Sequence, residues 1–384
     1  MRLLHVISTL DPVAGGPVAG LLGMVDAGLR RDVDAEVLTM DSPAAAWLSS
    51  FPVRVAALGQ GARGFAYAPA IGAWLLEHQS RFDAVIVHGL WQYQGIAVRR
   101  VLRSVGRPYF VFPHGMLDPW FKQRYRFKHL KKVLFWRLWQ YRVLRDAAAV
   151  LFTCEEEERL ARETFRPYAV RARVVGFGAD GPPERLGDAR ARLDASFASL
   201  HGKRIVLFFG RLHPKKGCDL LLEAFAEVAA SDPALHLVFA GPDQEGYGDS
   251  LRSLAGRLGV TARVSWLGML QGDLKWTVLQ AAEVFVLPSH QENFGVAVAE
   301  ALACGTPVLL SDKVNIWREV VADGAGLVGP DRVAATAKLL RDWLELGAAQ
   351  REAMREAAVR CHAQRFRFDA MVARLTECVD AARS

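Results

Sequence analysis

The stretch Glu292-Asn-Phe-Gly-Val-Ala-Val-Ala-Glu300 frames seven small or apolar residues with two carboxylates. It follows Val284, Phe285, Val286 and Leu287, an apolar run that reads as a buried strand ended by Pro288-Ser289-His290. Gly295 then opens a small-residue helix running to Cys304, with Gly305 and Pro307 as its stop. Glu292 is thereby expected on the loop at a strand's carboxyl end, and Glu300 about two turns into the helix. The amides of Asn293, Phe294 and Gly295 lie where a helix start attracts an anion. One carboxylate for a sugar hydroxyl, amides for phosphate and a second carboxylate for a ribose diol suit a nucleotide sugar. The plainer reading is two glutamates near a helix start, one of them a partner of the helix dipole.

Three further motifs precede this one. Ile205-Val-Leu-Phe-Phe-Gly-Arg211-Leu-His-Pro-Lys-Lys216-Gly217 reads as a buried strand, a glycine turn and two cations ahead of a helix over 218–230. Leu237-Val-Phe-Ala-Gly-Pro-Asp243 is a second strand and turn, and Arg263-Val-Ser-Trp-Leu-Gly268 a third. In this order, together with Glu292 to Pro307, the set resembles the C-terminal half of the GT-B glycosyltransferases. It is most similar to the large retaining family of bacterial glycan-building enzymes known as family 4. The likeness is strong over 200–330 and looser in the N-terminal half.

The resemblance implies an α/β chain of GT-B type, two Rossmann-like doubly wound domains facing a central cleft. Residues 1–180 would form the acceptor-side domain and 181–361 the donor-binding domain, with the tail 362–384 packing back on the first. Gly181-Pro-Pro-Glu-Arg is the expected hinge. Arg211 and Lys216, on the loop after a strand, would stabilise the charge that develops as a nucleoside diphosphate departs, without a metal. Main chain near Gly268 to Leu270 would hold the base. No Asp-x-Asp stands at a strand end and no His, Asp or Glu cluster has ligand spacing, so no metal or other cofactor is expected.

In the first half, Gly15-Gly16-Pro17 follows the first strand and precedes an apolar helix. Its glycines let a phosphate or sugar come close to the backbone at Gly16, although an ordinary strand–helix connection reads the same way. The loop lacks G-x-G-x-x-G, which counts against a dinucleotide-binding dehydrogenase. His114, in Val111-Phe-Pro-His-Gly-Met-Leu-Asp-Pro119, ends a strand and can donate to a sugar hydroxyl. Its Pro-His-Gly setting is similar to the family's catalytic-cleft histidine. His88 and Trp91, in Val87-His-Gly-Leu-Trp91, are expected to line the acceptor side. One departure stands out: the family often carries Pro-Asn-Gly before the linker, and this chain has Val175-Gly-Phe-Gly-Ala-Asp180. Any donor contact assigned to that segment is therefore in doubt.

These residues need a scaffold of alternating strands and helices, which the chain supplies. Strands are expected near 2–8, 34–40, 52–57, 83–88, 108–113, 148–153 and 172–175, then 204–209, 235–240, 263–267, 283–287 and 306–310. A length of 384 residues suits two domains, and 51% hydrophobic with 23% charged residues is globular. Five scattered cysteines read as reduced thiols of a cytosolic protein. No apolar run is long enough to span a membrane, and the N-terminus lacks a signal-peptide cleavage site.

From Trp120 to Arg145 there are nine Lys or Arg, eight aromatics and no Asp or Glu. This segment carries +9, so the rest of the chain sums to −2 against a total of +7. Lys128, Lys131 and Lys132 with these rings fit an anionic membrane surface. Two other readings are RNA contact, for which no motif is present, and a helix packing Leu130, Leu134, Leu138 and Tyr141 under a solvated basic face. The expectation is a retaining glycosyltransferase peripheral on the inner face of the cytoplasmic membrane. It would take a nucleotide sugar and extend a glycan or polyprenyl-diphosphate-linked acceptor in surface polysaccharide biosynthesis, without binding nucleic acid. A nucleotide-sugar epimerase of the same architecture, or a non-enzymatic sugar- or nucleic-acid-binding protein, are the alternatives.

Overall fold

A computed structural model describes residues 1–59, 61, 64–120, 122, 126–183, 187–243 and 246–383, the side chains of 126–128 excepted. The long Val, Ile, Leu and Phe runs become two sheets whose strand pairings are all parallel. Such runs do not alternate because helices cover both faces of a parallel sheet.

The first sheet holds β1 (Arg2–Ile7), β2 (Asp34–Thr39), β3 (Val55–Ala57), β4 (Ala84–His88), β5 (Tyr109–Phe112), β6 (Ala149–Phe152) and β7 (Ala172–Val174). Their order is β3-β2-β1-β4-β5-β6-β7. The second holds β8 (Arg204–Phe209), β9 (Leu235–Ala240), β10 (Val264–Gly268), β11 (Val284–Leu287), β12 (Val308–Ser311) and β13 (Gly326–Gly329), ordered β10-β9-β8-β11-β12-β13. In each sheet the chain starts mid-sheet, moves outward, then returns to the other side. The reversal falls between β1 and β4 in one and between β8 and β11 in the other. Ligand sites of doubly wound sheets form outside the carboxyl ends of such strand pairs.

Twelve of the thirteen strands stand where the apolar runs place them, β3 starting late behind Pro52. β13 was not expected. Gly-Leu-Val-Gly is too short to show a period, and it is a strand because it pairs with β12 from Val308↔Gly326 to Ser311↔Gly329. Gly326 must be glycine, since a Cβ there would lie 2.0 Å from the Val308 carbonyl oxygen.

The chain forms two compact units, residues 1–178 with 367–384 and residues 179–366. The last helix, Phe368–Arg383, belongs to the first unit. It sets Phe368 against Gly23, donates from Arg374 Nε to the Val175 carbonyl at 2.8 Å and pairs Arg383 with Asp83 at 3.0 Å. Among the described residues no helix is long and apolar enough to cross a membrane.

Candidate functional site

In the second unit, the loops after β8 and β11 bring Lys216 and Glu292 into a direct ion pair. Gly217 makes the approach possible. Its φ is +66°, and a Cβ would lie 2.2 Å from the Pro288 carbonyl oxygen, so a side chain there would push the two loops apart. Glu292 is also fixed through its backbone, donating to Lys313 O at 2.9 Å and accepting from Asn315 N at 3.0 Å. Burial acts to raise the Glu292 pKa, but Lys216, with Lys215 and Arg211 adding to it, outweighs that and holds the carboxyl below its ordinary value. Arg211 is exposed and has no ion pair among the described residues, leaving its guanidinium open to an anion.

Glu300 lies on the helix Val296–Ala303, capped by Gly295 at φ 80°. It is little more than one turn in, not two, because the helix begins at Val296. Its carboxylate accepts from Lys275 Nζ at 2.9 Å, a partner that no sequence spacing indicates. Burial raises the Glu300 pKa and the Asp180 charge adds to this, with Lys275 opposing. The two framing carboxylates are thus pushed in opposite directions, an arrangement that gives like groups different tasks. Asn293 Oδ1 lies 3.5 Å from Asn315 Nδ2, and Phe294 sets its ring edge-on to Phe366 at 5.5 Å. The Gly268 carbonyl accepts from Gly241 N at 2.6 Å, and Leu270 beside it is half-buried.

In the first unit, three imidazoles form a continuous chain. His5 Nδ1 is 3.0 Å from His88 Nε2, and His88 Nδ1 is 2.9 Å from His114 Nε2. Strand register explains it. His5 sits opposite Ile86 and His88 opposite Phe112, so each histidine lies two residues beyond the previous one's partner, on the same face. Phe112 stacks on His114 at 4.5 Å and Phe177 meets it edge-on at 6.2 Å. Burial depresses all three: His5 to about 4, His114 to about 3, and His88, next to both, well below its ordinary value. His114 has φ 51°, and the Gly115 amide behind it donates to Glu157 Oε1 at 2.6 Å. The other Glu157 oxygen accepts from Thr153 N and Oγ1 at 2.7 and 2.6 Å. Phe177 stands in the segment where the family motif has its asparagine, and packs on His114.

Sequence reasoning overlooked His5, Glu157, Lys275 and Asn315. His5 carried a signal, a histidine inside an otherwise apolar buried strand. Glu157 carried none, being one of four successive glutamates at a helix start.

Gly16 begins the helix Gly16–Leu29, and a Cβ there would meet nothing within 4 Å, so the approach is open. Near this turn a cavity of about 760 Å³ is lined by Thr9, Asp11, Ala14, Asp41, Ser42 and Trp47 among others. Trp91 packs its ring against Phe165 at 5.1 Å, with Lys132 Nζ 4.8 Å above it.

The basic segment departs from the simple packing reading. Leu130, Leu134 and Leu138 are 70%, 61% and 41% exposed, with Trp139 at 42%. Trp136, Gln140, Val143 and Leu144 are buried instead. Apolar residues occupy two faces of this helical stretch, and the face carrying Trp136 wins because it reaches Phe165 and Tyr168. Lys131 is exposed beside the leucine row, and the Lys128 side chain lies outside the described residues.

Two parallel sheets of seven and six strands, each wound about its own switch point, define the GT-B class. Residues 15–178 match the glycosyl transferase 4-like domain, and 190–360 the glycosyl transferases group 1 family. The chain belongs to the glycosyl transferases group 1 family, family 4. It is 35% identical to the D-inositol 3-phosphate glycosyltransferase of Rhodococcus opacus over 218 residues, 53% of this chain and 48% of that protein. It is 37% identical to the protein of that name in Thermomonospora curvata over 231 residues, 57% and 49% of the two chains. The chain thus spans about half the length of these curated relatives. Anabaena HepE, solved with UDP and glucose, superposes with a TM-score of 0.74 at 20% identity, covering 99% of this chain and all of that one. WaaG, a glycosyltransferase involved in lipopolysaccharide biosynthesis, gives 0.67 at 14% identity over 99% of both chains. Below 25% identity these likenesses concern the fold.

Proposed function

We propose that this protein is a retaining glycosyltransferase that moves a sugar from a nucleoside-diphosphate donor to a glycan or polyprenyl-diphosphate-linked acceptor in surface polysaccharide biosynthesis. The observation that carries the reading is the Lys216–Glu292 pair with Arg211 alongside, at the carboxyl ends of the two switch strands. The bond between the anomeric carbon and the diphosphate oxygen breaks while the acceptor oxygen bonds to that carbon on the same face. The acceptor's proton passes to the departing diphosphate. Arg211 and Lys216 stabilise the leaving charge, and Gly295 opens a helix whose amino end adds to it. Glu292, kept ionised, faces the sugar, and Glu300 takes the ribose diol. A covalent glutamyl intermediate on Glu292 is the second route, favoured by the depressed Glu292 carboxyl.

On the first unit, His114 donates to a substrate hydroxyl, with Gly16 beside the substrate and His88 behind His114 in the imidazole chain. Asp11 and Trp47 in the neighbouring cavity suit a sugar ring, one through hydrogen bonds and the other through its flat face. The exposed row Leu130, Leu134, Leu138 and Trp139 beside Lys131 supports docking on the anionic inner face of the cytoplasmic membrane. The deciding experiment screens nucleotide sugars by thermal shift. A donor at 100 times its dissociation constant adds about 2.7 kcal/mol, and nucleotide release is then followed with and without acceptor. Release that needs the acceptor identifies a transferase. Interconversion of the donor without acceptor identifies the epimerase, and binding with no turnover a sugar-binding protein.

A further inference from the structure

The imidazole chain has a property that none of its members has alone. Burial keeps the three rings neutral near pH 7, and a neutral imidazole carries one N–H. His88 uses both nitrogens within the chain, so it donates from one and accepts at the other. Both hydrogen bonds must therefore run the same way. Either His5 donates to His88 and His88 to His114, or both are reversed. The three rings form one tautomeric unit with two states, and the state decides what His114 Nδ1 presents. It is an N–H donor in the first and a lone-pair acceptor in the second.

The far end selects between them. His5 is 1% exposed, and its Nε2 has no hydrogen-bond partner among the described residues. That nitrogen carries an N–H without a described acceptor in the reversed state and a bare lone pair in the forward one, and an orphaned N–H is the rarer arrangement in folded proteins. In the forward state His5 donates from Nδ1 to His88 Nε2, and His88 donates from Nδ1 to His114 Nε2. His114 then carries its N–H on Nδ1, the nitrogen that lies outside the chain of imidazoles. We propose that His5 is a positioning residue: acting through His88, it holds His114 in the Nδ1–H tautomer, so that His114 meets a substrate hydroxyl as a donor.

The backbone arrangement agrees with a ring that must not swing. Phe112 and Phe177 hold the His114 ring face and edge, and Glu157 ties the following amide to the end of β6. This inference rests on the reading of His114 as a residue that touches substrate.

The test is long-range ¹H–¹⁵N correlation on ¹⁵N-histidine-labelled protein at neutral pH, which reports the tautomer of each ring directly. His5, His88 and His114 should all be Nδ1–H in the wild type. In His5→Phe, His88 and His114 should lose that pattern. Turnover should fall about tenfold, the scale of one misdirected hydrogen bond, while the donor KM stays put. His5→Asn, whose amide can still donate to His88, should recover part of the loss. A wild-type His114 in the Nε2–H form overturns the proposal, as does full turnover in His5→Phe. If His5→Phe does not fold, the wild-type spectrum still decides the tautomer. Full turnover in His114→Ala would defeat the underlying site reading instead, whichever tautomer the spectrum shows.

Discussion

Lys216 and Glu292 are 76 positions apart in sequence and form one ion pair, so the cation proposed for the diphosphate and the carboxylate proposed for the sugar hold each other in place. Separate roles for the two residues therefore have to be measured as a coupled pair. Lys216→Ala should lower turnover by about 100-fold or more. It should also move the acid limb of the pH–rate profile upward, because burial, no longer opposed by Lys216, raises the Glu292 pKa. The double variant Lys216→Ala/Glu292→Gln should be far less harmful than the two single effects combined. Additive losses with an unmoved acid limb would show that the pair has no joint role.

Arg211→Ala tests the leaving-group charge with the least disturbance of Glu292, since Arg211 is exposed, makes no direct ion pair with it and acts on its carboxyl less than Lys216 or Lys215 does. Turnover should drop on the order of 100-fold with the melting temperature unchanged. Steady-state kinetics beside a thermal melt would check both halves.

Glu300 should make donor binding depend on pH. Its carboxyl is pushed up by burial, so on acidification it takes a proton at a higher pH than a free glutamate. Affinity for a nucleotide sugar should weaken as pH falls through that raised value. Glu300→Gln should bind weakly throughout and lose the dependence. Calorimetry against pH reads this, and the sugar-capped diphosphate avoids a second titrating phosphate. Stability runs the opposite way: a carboxyl raised in the fold contributes most below its unfolded pKa, and that contribution fades as pH rises through the folded one.

Chelation should leave transfer largely intact if Arg211 and Lys216 carry the diphosphate charge. Activity abolished by EDTA and restored by Mg²⁺ or Mn²⁺ would call for a carboxylate–metal site instead.

Docking on membrane should need both the leucine row and the cations beside it. Wild-type protein should sediment with anionic vesicles more than with neutral ones, and less as salt rises. Each basic residue near a charged bilayer contributes about 1 kcal/mol, screened over ~8 Å in physiological salt. Leu134→Ser with Leu138→Ser, or Lys131→Glu with Lys132→Glu, should release the protein. The leucine changes in particular should spare the fold, because both side chains are exposed. Equal sedimentation of wild type and variants would return this face to plain solvated surface.

Local features were legible in the chain. Val284 to Leu287 announced β11, Pro288 its end, and Gly295 the helix that carries Glu300, because burial and backbone freedom act on neighbouring residues. The Arg211 to Lys216 turn and the Pro-His-Gly around His114 were visible for the same reason. What meets what was not. Lys216 reaches Glu292 because β8 and β11 lie side by side, and His5 reaches His114 through His88 because β1, β4 and β5 adjoin in register. Lys275 reaches Glu300, and β13 exists, through partners that are closer along the chain but still beyond any local stretch. With apolar residues on two faces of the segment around Trp136, periodicity could not tell which face the first unit would bury. Strand order and packing decide such contacts, and neither is a property of any local stretch.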